Sequence, residues 1–263
     1  IVSELGDIVS NENLSIKYSN GNEDAGRATL GAALALKGWI ELFAASPLFN
    51  SGSAYLSDPN NYVHFASPDP NRWATAAATN KKFIDQYGGG TYDLFGDLSD
   101  LWRASNEYNP EIIWDRQAVA GVPYMGIDYE TRGGVTYVLG QIRCWGNYNP
   151  TQELVDQFKM ANGKDISDPT SGYDPQDPYA NREERFYDFI VHDGAIYKLD
   201  WMKEADTIYT RIDETKKNLN QIDLSGSSDV GDSGYYQKKR MNPDAAPAGD
   251  ASGQNDVFYR YAE

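Results

Sequence analysis

The densest hydrophobic pattern in the chain runs from Gly26 to Asn50, GRATLGAALALKGWIELFAASPLFN. Leu30, Ala33, Leu34, Leu36, Ile40, Phe43 and Ala44 recur at helical spacing and predict one wide apolar face. The alanines among them leave a surface that another helix can approach closely. Asp24 is placed to cap the N-terminal end, and Pro47 forces a stop because the residue before proline avoids the α region. A second helix is predicted from Asp69-Pro70, an N-cap aspartate followed by proline at the first helical position. Its stripe is Trp73, Ala76, Ala77, Asn80, Ile84 and Tyr87, and Gly88-Gly89-Gly90 ends it. The two Ala-rich stripes predict a helix hairpin, joined by a long polar connection over residues 48–69. Ahead of them, residues 1–12 read as a short amphipathic helix with Leu5, Ile8 and Val9 on one side.

Beyond residue 90 the pattern breaks into short pieces. Leu94 to Arg103 reads as one short helix; Glu111–Asp115 and Val135–Leu139 read as strands, with an irregular aromatic stretch at 119–134 between them. Asn149-Pro150 opens a helix reaching Met160, with Leu154, Val155 and Phe158 inward, Asn149 as cap and Gln152 reaching back as in a capping box. Residues 161–181 are loop, Arg182–Ile190 a short helix or turn and Ala195–Leu199 a strand. Residues 223–234 and 242–256 have the Gly, Ser, Asp, Ala and Pro content of surface loops.

Composition narrows the function classes. At 263 residues and 40% hydrophobic, the chain can bury a real core. A net charge of −16 repels phosphate backbones and argues against nucleic acid. Cys144 stands alone, so no intrachain disulfide or cysteine cluster for zinc can form, and it reads as a small buried hydrophobe. No apolar run is long enough to span a membrane. His64 and His192 lack metal-binding spacing, and no nucleophile elbow, phosphate loop or dinucleotide fingerprint is present. With 39 Asp and Glu some glycosidase-like carboxylate pair always exists, but nothing marks one. The acidic loop Asp223–Asp232 lacks the spacing of an EF-hand. No catalytic residue, cofactor or metal is therefore expected.

The aromatic residues carry more information. There are 19 Tyr and 6 Trp, and residues 102–148 mix such rings with polar donors: Trp102, Arg103, Tyr124, Tyr129, Arg132, Tyr137, Arg143, Trp145, Asn147 and Tyr148. Sugar rings present C–H faces that stack on aromatic π-faces, and their hydroxyls need Asn, Asp, Arg or Gln at the rim. The candidate glycan contacts are Trp102, Tyr124, Tyr129, Arg143, Trp145 and Asn147, with Trp145 first because Arg143 and Asn147 flank it. Trp114 and Tyr137, placed in strands, are assigned to the core.

Four stretches, in order, resemble the SusD/RagB family of outer-membrane glycan-binding lipoproteins. They are the helix ending AASPLFN; Asn149-Pro150-Thr151-Gln152-Glu153-Leu154-Val155-Asp156-Gln157-Phe158; Gly172-Tyr173-Asp174-Pro175 on to Ala180-Asn181-Arg182-Glu183-Glu184-Arg185-Phe186; and Gly234-Tyr235-Tyr236 followed by Tyr259-Arg260-Tyr261-Ala262-Glu263. The family shows N-R-D-P-R-F in the third, where this chain has Glu183-Glu184, and begins its next helix at R-Y-A-E. The resemblance implies a mainly α fold of tetratricopeptide-type helix pairs with a loop-rich region carrying short strands. Residues 1–263 would form a single partial domain, with 1–90 helical and 91–263 irregular. It also implies a fragment of a longer lipoprotein whose lipid-bearing cysteine precedes it and whose further helices follow it. The implied role is non-catalytic glycan binding at the outer membrane of a Bacteroidetes-like cell, in partnership with a SusC-like TonB-dependent transporter for nutrient uptake. A glycan hydrolase with an unrecognised carboxylate pair and a protein-binding helical scaffold are the alternatives. The absent catalytic constellation weighs against the first, and the aromatic-rich loops against the second.

Overall fold

The computed structural model describes residues 1–11, 13–19, 22–119, 132–212, 220–221, 230–245 and 253–263. The chain divides into two compact units. Unit 1 comprises Ile1–Phe95, Tyr108–Arg116 and Val257–Glu263; unit 2 comprises Gly96–Glu107 and Gln117–Asp256.

Unit 1 is built on three helices, α1 (Val2–Asn11), α2 (Leu30–Ala45) and α3 (Asn71–Tyr87). The hydroxyl of Thr29, not the carboxylate of Asp24, caps α2 by accepting from Ala32 N at 3.0 Å. Asp24 instead pairs with Arg27 one turn before the helix starts. α3 starts as expected, with Asp69 Oδ1 accepting from Asn71 N at 2.9 Å, and it stops at Gly88. Lys37 Nζ reaches Thr79 Oγ1, Gly38 lies against Asn80, and Asn50 Oδ1 accepts from Asp69 N and Arg72 Nη1, so the two helices run antiparallel.

The buried face of α2 differs from the expected one. It is Leu30, Gly31, Leu34, Ala35, Gly38, Glu41 and Ala45, while Phe43 is 53% exposed. α2 is apolar nearly all round, so periodicity could not choose the seam; the small residues chose it, because they let α3 approach. Likewise Ala76 and Phe83 are the buried residues of α3, with Trp73 and Ile84 exposed. In α1, Leu5 and Val9 are buried, and Ile8 is not.

Tyr92 closes this core together with Val9, Leu34, Ala35, Phe83 and Ile113. Its hydroxyl donates to Ile16 O at 2.8 Å and lies where a Cβ on Gly31 would stand. The strand β1 (Ile112–Arg116) pairs with β8 (Asp256–Arg260). The C-terminal segment, expected to begin a helix, is thus a strand followed by a turn. Its run of Val257, Phe258 and Tyr259 favours extended pairing, and Arg260 Nη1 is fixed 2.8 Å from the buried carboxylate of Glu111. Over the 48–69 connection, Asp58 accepts from the backbone N–H groups of Tyr62, Val63 and His64. A cavity of about 350 Å³ lies between α2 and that connection, lined by Ile40, Phe43, Phe49, Val63 and Phe65 among others.

Among the described residues, the elements of unit 2 are short. β2 (Tyr137–Val138) and β3 (Gln141–Ile142) form a hairpin, where one longer strand was expected. Leu139 and Gly140 both take positive φ, 51° and 73°, the backbone signature of a two-residue hairpin turn. β4 (Ile190–Val191) pairs with β7 (Tyr236–Gln237), and β5 (Ala195–Tyr197) with β6 (Asp206–Ile208). α4 (Gln152–Asp156) and α5 (Glu184–Phe189) are the unit's α-helices among the described residues. Val138, Val191, Ile208 and Tyr236 belong to one apolar cluster, and Val155, Phe186, Ile190 and Tyr235 to another.

α4 is shorter than expected. Thr151 caps it, and Asn149 turns back to donate to Gly146 O at 2.7 Å. The buried guanidinium of Arg182 terminates it by donating to Val155 O (2.9 Å) and Phe158 O (2.8 Å), with a third bond to Pro178 O (3.0 Å). Val155 points inward, whereas Leu154 is exposed and Gln152 Oε1 accepts from the Tyr235 hydroxyl rather than closing a capping box. Residues Leu94–Arg103 form turns instead of a helix. Asp97 accepts from Ser99 N, and Asp100 takes the Arg103 Nε, local bonds that compete with the helical ladder. Among the described residues, no helix is long and apolar enough to cross a membrane.

Candidate functional site

The segment Arg143–Asn149 follows β3 and alternates in burial. Arg143 is half-buried, Cys144 buried, Trp145 exposed, Gly146 buried and Asn147 exposed. Trp145 and Asn147 thus stay at the surface while Cys144 turns into the core at 2% exposure, and Gly146, at φ 63°, lets the chain bend between them. Four hydrogen bonds clamp the main chain of this segment. Arg143 N donates to Thr136 O, Asn147 N to Arg132 O, Asn149 Nδ2 to Gly146 O and Gln237 N to Tyr148 O, at 2.7, 2.7, 2.7 and 3.2 Å.

Two adjacent glycines let the opposing segment lie flush. A side chain at Gly133 would collide with the Tyr148 ring, and one at Gly134 with the Cys144 sulfur and the Met241 methyl. The result is a loop without regular structure whose backbone is nonetheless held, carrying two exposed rings, Trp145 at 44% and Tyr148 at 37%.

The charged groups here are arginines. The Arg132 guanidinium lies over the Trp145 ring, 5.0 Å from its centroid, and the Arg143 guanidinium lies over Trp201 at 5.5 Å. The structure therefore brings together three of the candidate contacts, Arg143, Trp145 and Asn147. It adds Arg132, Tyr148 and Trp201. Trp201 is remote in sequence, and no local pattern signals its approach to Arg143.

Trp102 is corrected to a core residue: it is 4% exposed and has no face open to a ligand. Tyr124 and Tyr129 lie outside the described residues. Arg103 is held by Asp100, Asp200 and Asp244, and its guanidinium keeps the Asp200 carboxyl below the usual carboxylate range. Trp114 and Tyr137 are half-buried, with Trp114 against Phe258 at 5.2 Å. His64 bonds Phe65 O and Ser51, and His192 stacks on Tyr179 at 4.3 Å, its pKa lowered by burial. Among the described residues no group of three or more His, Cys, Asp or Glu could hold a metal ion.

The model of the SusD family matches residues 110–263, more than half of the chain and all of the segment that carries Trp145. This chain belongs to the SusD family. Solved structures extend the likeness over the rest. A SusD-like protein from Bacteroides fragilis is 25% identical with a TM-score of 0.68, covering 99% of this chain and 45% of its own. A SusD-like carbohydrate binding protein from the same species is 19% identical, TM-score 0.66, covering 99% and 42%. Surface glycan-binding protein A from Bacteroides thetaiotaomicron, solved in complex with laminarihexaose, is 14% identical, TM-score 0.52, covering 99% and 46%. This SusD-family chain thus spans under half the length of these three structures. The mainly α, SusD-like fold expected from the sequence is the fold observed. No curated protein matches the chain.

Proposed function

We propose that this chain is part of a non-catalytic glycan-binding protein of the cell surface, with the Trp145 loop as its sugar contact. The observation that carries the reading is a half-exposed tryptophan on a clamped, irregular segment, flanked by Arg132, Arg143 and Asn147, in a SusD-family chain. The indole supplies a stacking face, and the side chains beside it supply donors for hydroxyls. A backbone already fixed by four hydrogen bonds loses little freedom on binding. The wider role in this proposal is oligosaccharide uptake at the outer membrane. The protein would be held there by a lipid anchor and would hand glycan to a SusC-like TonB-dependent transporter.

The test uses the longer protein to which the chain belongs. Trp145→Ala should weaken glycan binding about ten- to a hundred-fold, the loss of one stacked ring at about 1–3 kcal/mol, by analogy with base stacking. Because the ring is 44% exposed, the melting temperature should change little. Unchanged affinity at unchanged stability removes Trp145 from the site; a collapsed melting temperature returns it to the core. Incubation with polysaccharides should release no reducing ends, and turnover that a single Asp or Glu substitution abolishes would sink the non-catalytic reading.

A further inference from the structure

The arginines of unit 2 divide by what they hold. Arg103, Arg185, Arg211 and Arg240 each pair with a carboxylate, and the buried Arg182 holds backbone carbonyls. Among the described residues Arg143 does neither. Its guanidinium lies over Trp201, and among those residues its buried Nε has no hydrogen-bond partner and no carboxylate stands within ion-pair distance. That is unexpected in a chain with 39 acidic and 23 basic residues. A second guanidinium, that of Arg132, stands over Trp145, so two Arg–Trp pairs flank one loop.

We infer that the Trp145 loop takes an anionic saccharide, one bearing a uronate carboxylate or a sulfate, and that Arg143 pairs with the anion. The inference rests on the glycan-contact reading of that loop. A guanidinium presents a planar fork of donors that matches an oxyanion in two parallel bonds, and a ring beneath it fixes the plane without consuming those donors. Trp145 stacks the sugar, and Arg143, two residues away in the same loop, reads its charge. The chain's net charge of −16 opposes an anionic ligand at long range. Salt screens that repulsion beyond about 8 Å, so the contact pair decides the affinity.

The experiment screens the full-length protein against neutral, uronate-bearing and sulfated oligosaccharides. It then compares each retained anionic ligand with its carboxyl-reduced or desulfated form, which also tells uronate from sulfate. The expected result is retention of an anionic class and at least about ten-fold weaker binding once the charge is removed. Arg143→Gln should lose that difference, binding the charged form no better than the uncharged one, and Arg143→Lys should keep part of it. Retention of neutral glycans only, or equal affinity for charged and uncharged forms with Trp145→Ala abolishing both, overturns the anion inference and leaves the glycan reading standing. Retention of no class, or a Trp145→Ala variant that binds every ligand as before, overturns both. The ligand comparison is made on the unmodified protein, so a poorly folded Arg143 variant does not blunt it.

Discussion

Unit 1 and unit 2 hold their chains together by different means. In unit 1 Gly38 of α2 lies against Asn80 of α3, and Leu34 and Ala35 share a buried apolar cluster with Phe83. The helices satisfy their own backbone groups, so side chains are left to fill space. Among the described residues, unit 2 has α-helices of five and six residues and strands of two and three. Its backbone must be satisfied by side chains instead. Arg182 takes three carbonyls, Asn220 bonds both the N–H and the C=O of Tyr137, and Thr151 and Asn149 each close a turn. A unit built this way can hold a loop such as 143–149 rigid while its rings stay outside, which a helix face packed for space does less readily.

The sharpest way to break this comparison is to remove the polar anchor. Arg182→Met keeps bulk and deletes the donors, leaving the carbonyls of Val155, Phe158 and Pro178 without their partner. The expected loss is about 3–5 kcal/mol, read from urea unfolding. Arg185→Met, which removes an exposed pair with Glu183, should cost under about 1 kcal/mol. Similar small losses for both would show that unit 2 does not depend on its buried guanidinium.

The complementary change in unit 1 is apolar. Leu34→Ala empties part of the α2 seam and should cost about 3 kcal/mol. Leu42→Ala, on the exposed side of the same helix, should change stability by no more than about 0.5 kcal/mol. Equal effects would mean that the buried face of α2 has been assigned to the wrong side.

The same contrast explains which features were legible in the sequence. α2 and α3 stood out because long helices repeat their pattern, and the Ala-rich content announced a close helix pair. Which side of α2 is buried was not legible, since Trp39, Leu42 and Phe43 are as apolar as the residues that pack. Unit 2 offered short matches only, and its organisers act at a distance. Arg182 reaches Val155 27 positions away, and Asn220 reaches Tyr137 across 83. In the candidate site, Trp145 with Arg143 and Asn147 was legible as a local cluster, whereas the ring beneath Arg143 comes from Trp201. Trp102 was misread because an indole beside polar donors looks available to a ligand until the tertiary structure covers it.

The smallest expected effect concerns a half-buried cation in unit 1 that lacks what Arg182 has. Lys17 Nζ donates to Asn109 O at 2.6 Å and lies 4.8 Å over the Tyr92 ring. Burial pulls its pKa from 10.5 down to about 8, against the weaker opposing pull of the Asp115 carboxylate. A lysine whose folded pKa is depressed binds fewer protons in the folded chain than in the unfolded one between those two values. Its contribution to stability is therefore fully present above 10.5, and is lost as pH falls through about 8. The buried tyrosines act in the opposite sense. Burial raises the pKa of Tyr92 and Tyr236, so folded chains hold those protons longer, and stability falls as pH rises past the ordinary tyrosine value of about 10. The window that isolates Lys17 is thus pH 8 to about 9.5. There the unmodified chain should gain stability with pH relative to Lys17→Met, whose hydrophobic side chain neither titrates nor needs the Asn109 carbonyl. Parallel unfolding midpoints for the two chains across that window would show that Lys17 keeps its water in the folded state and that its charge is held there at no cost.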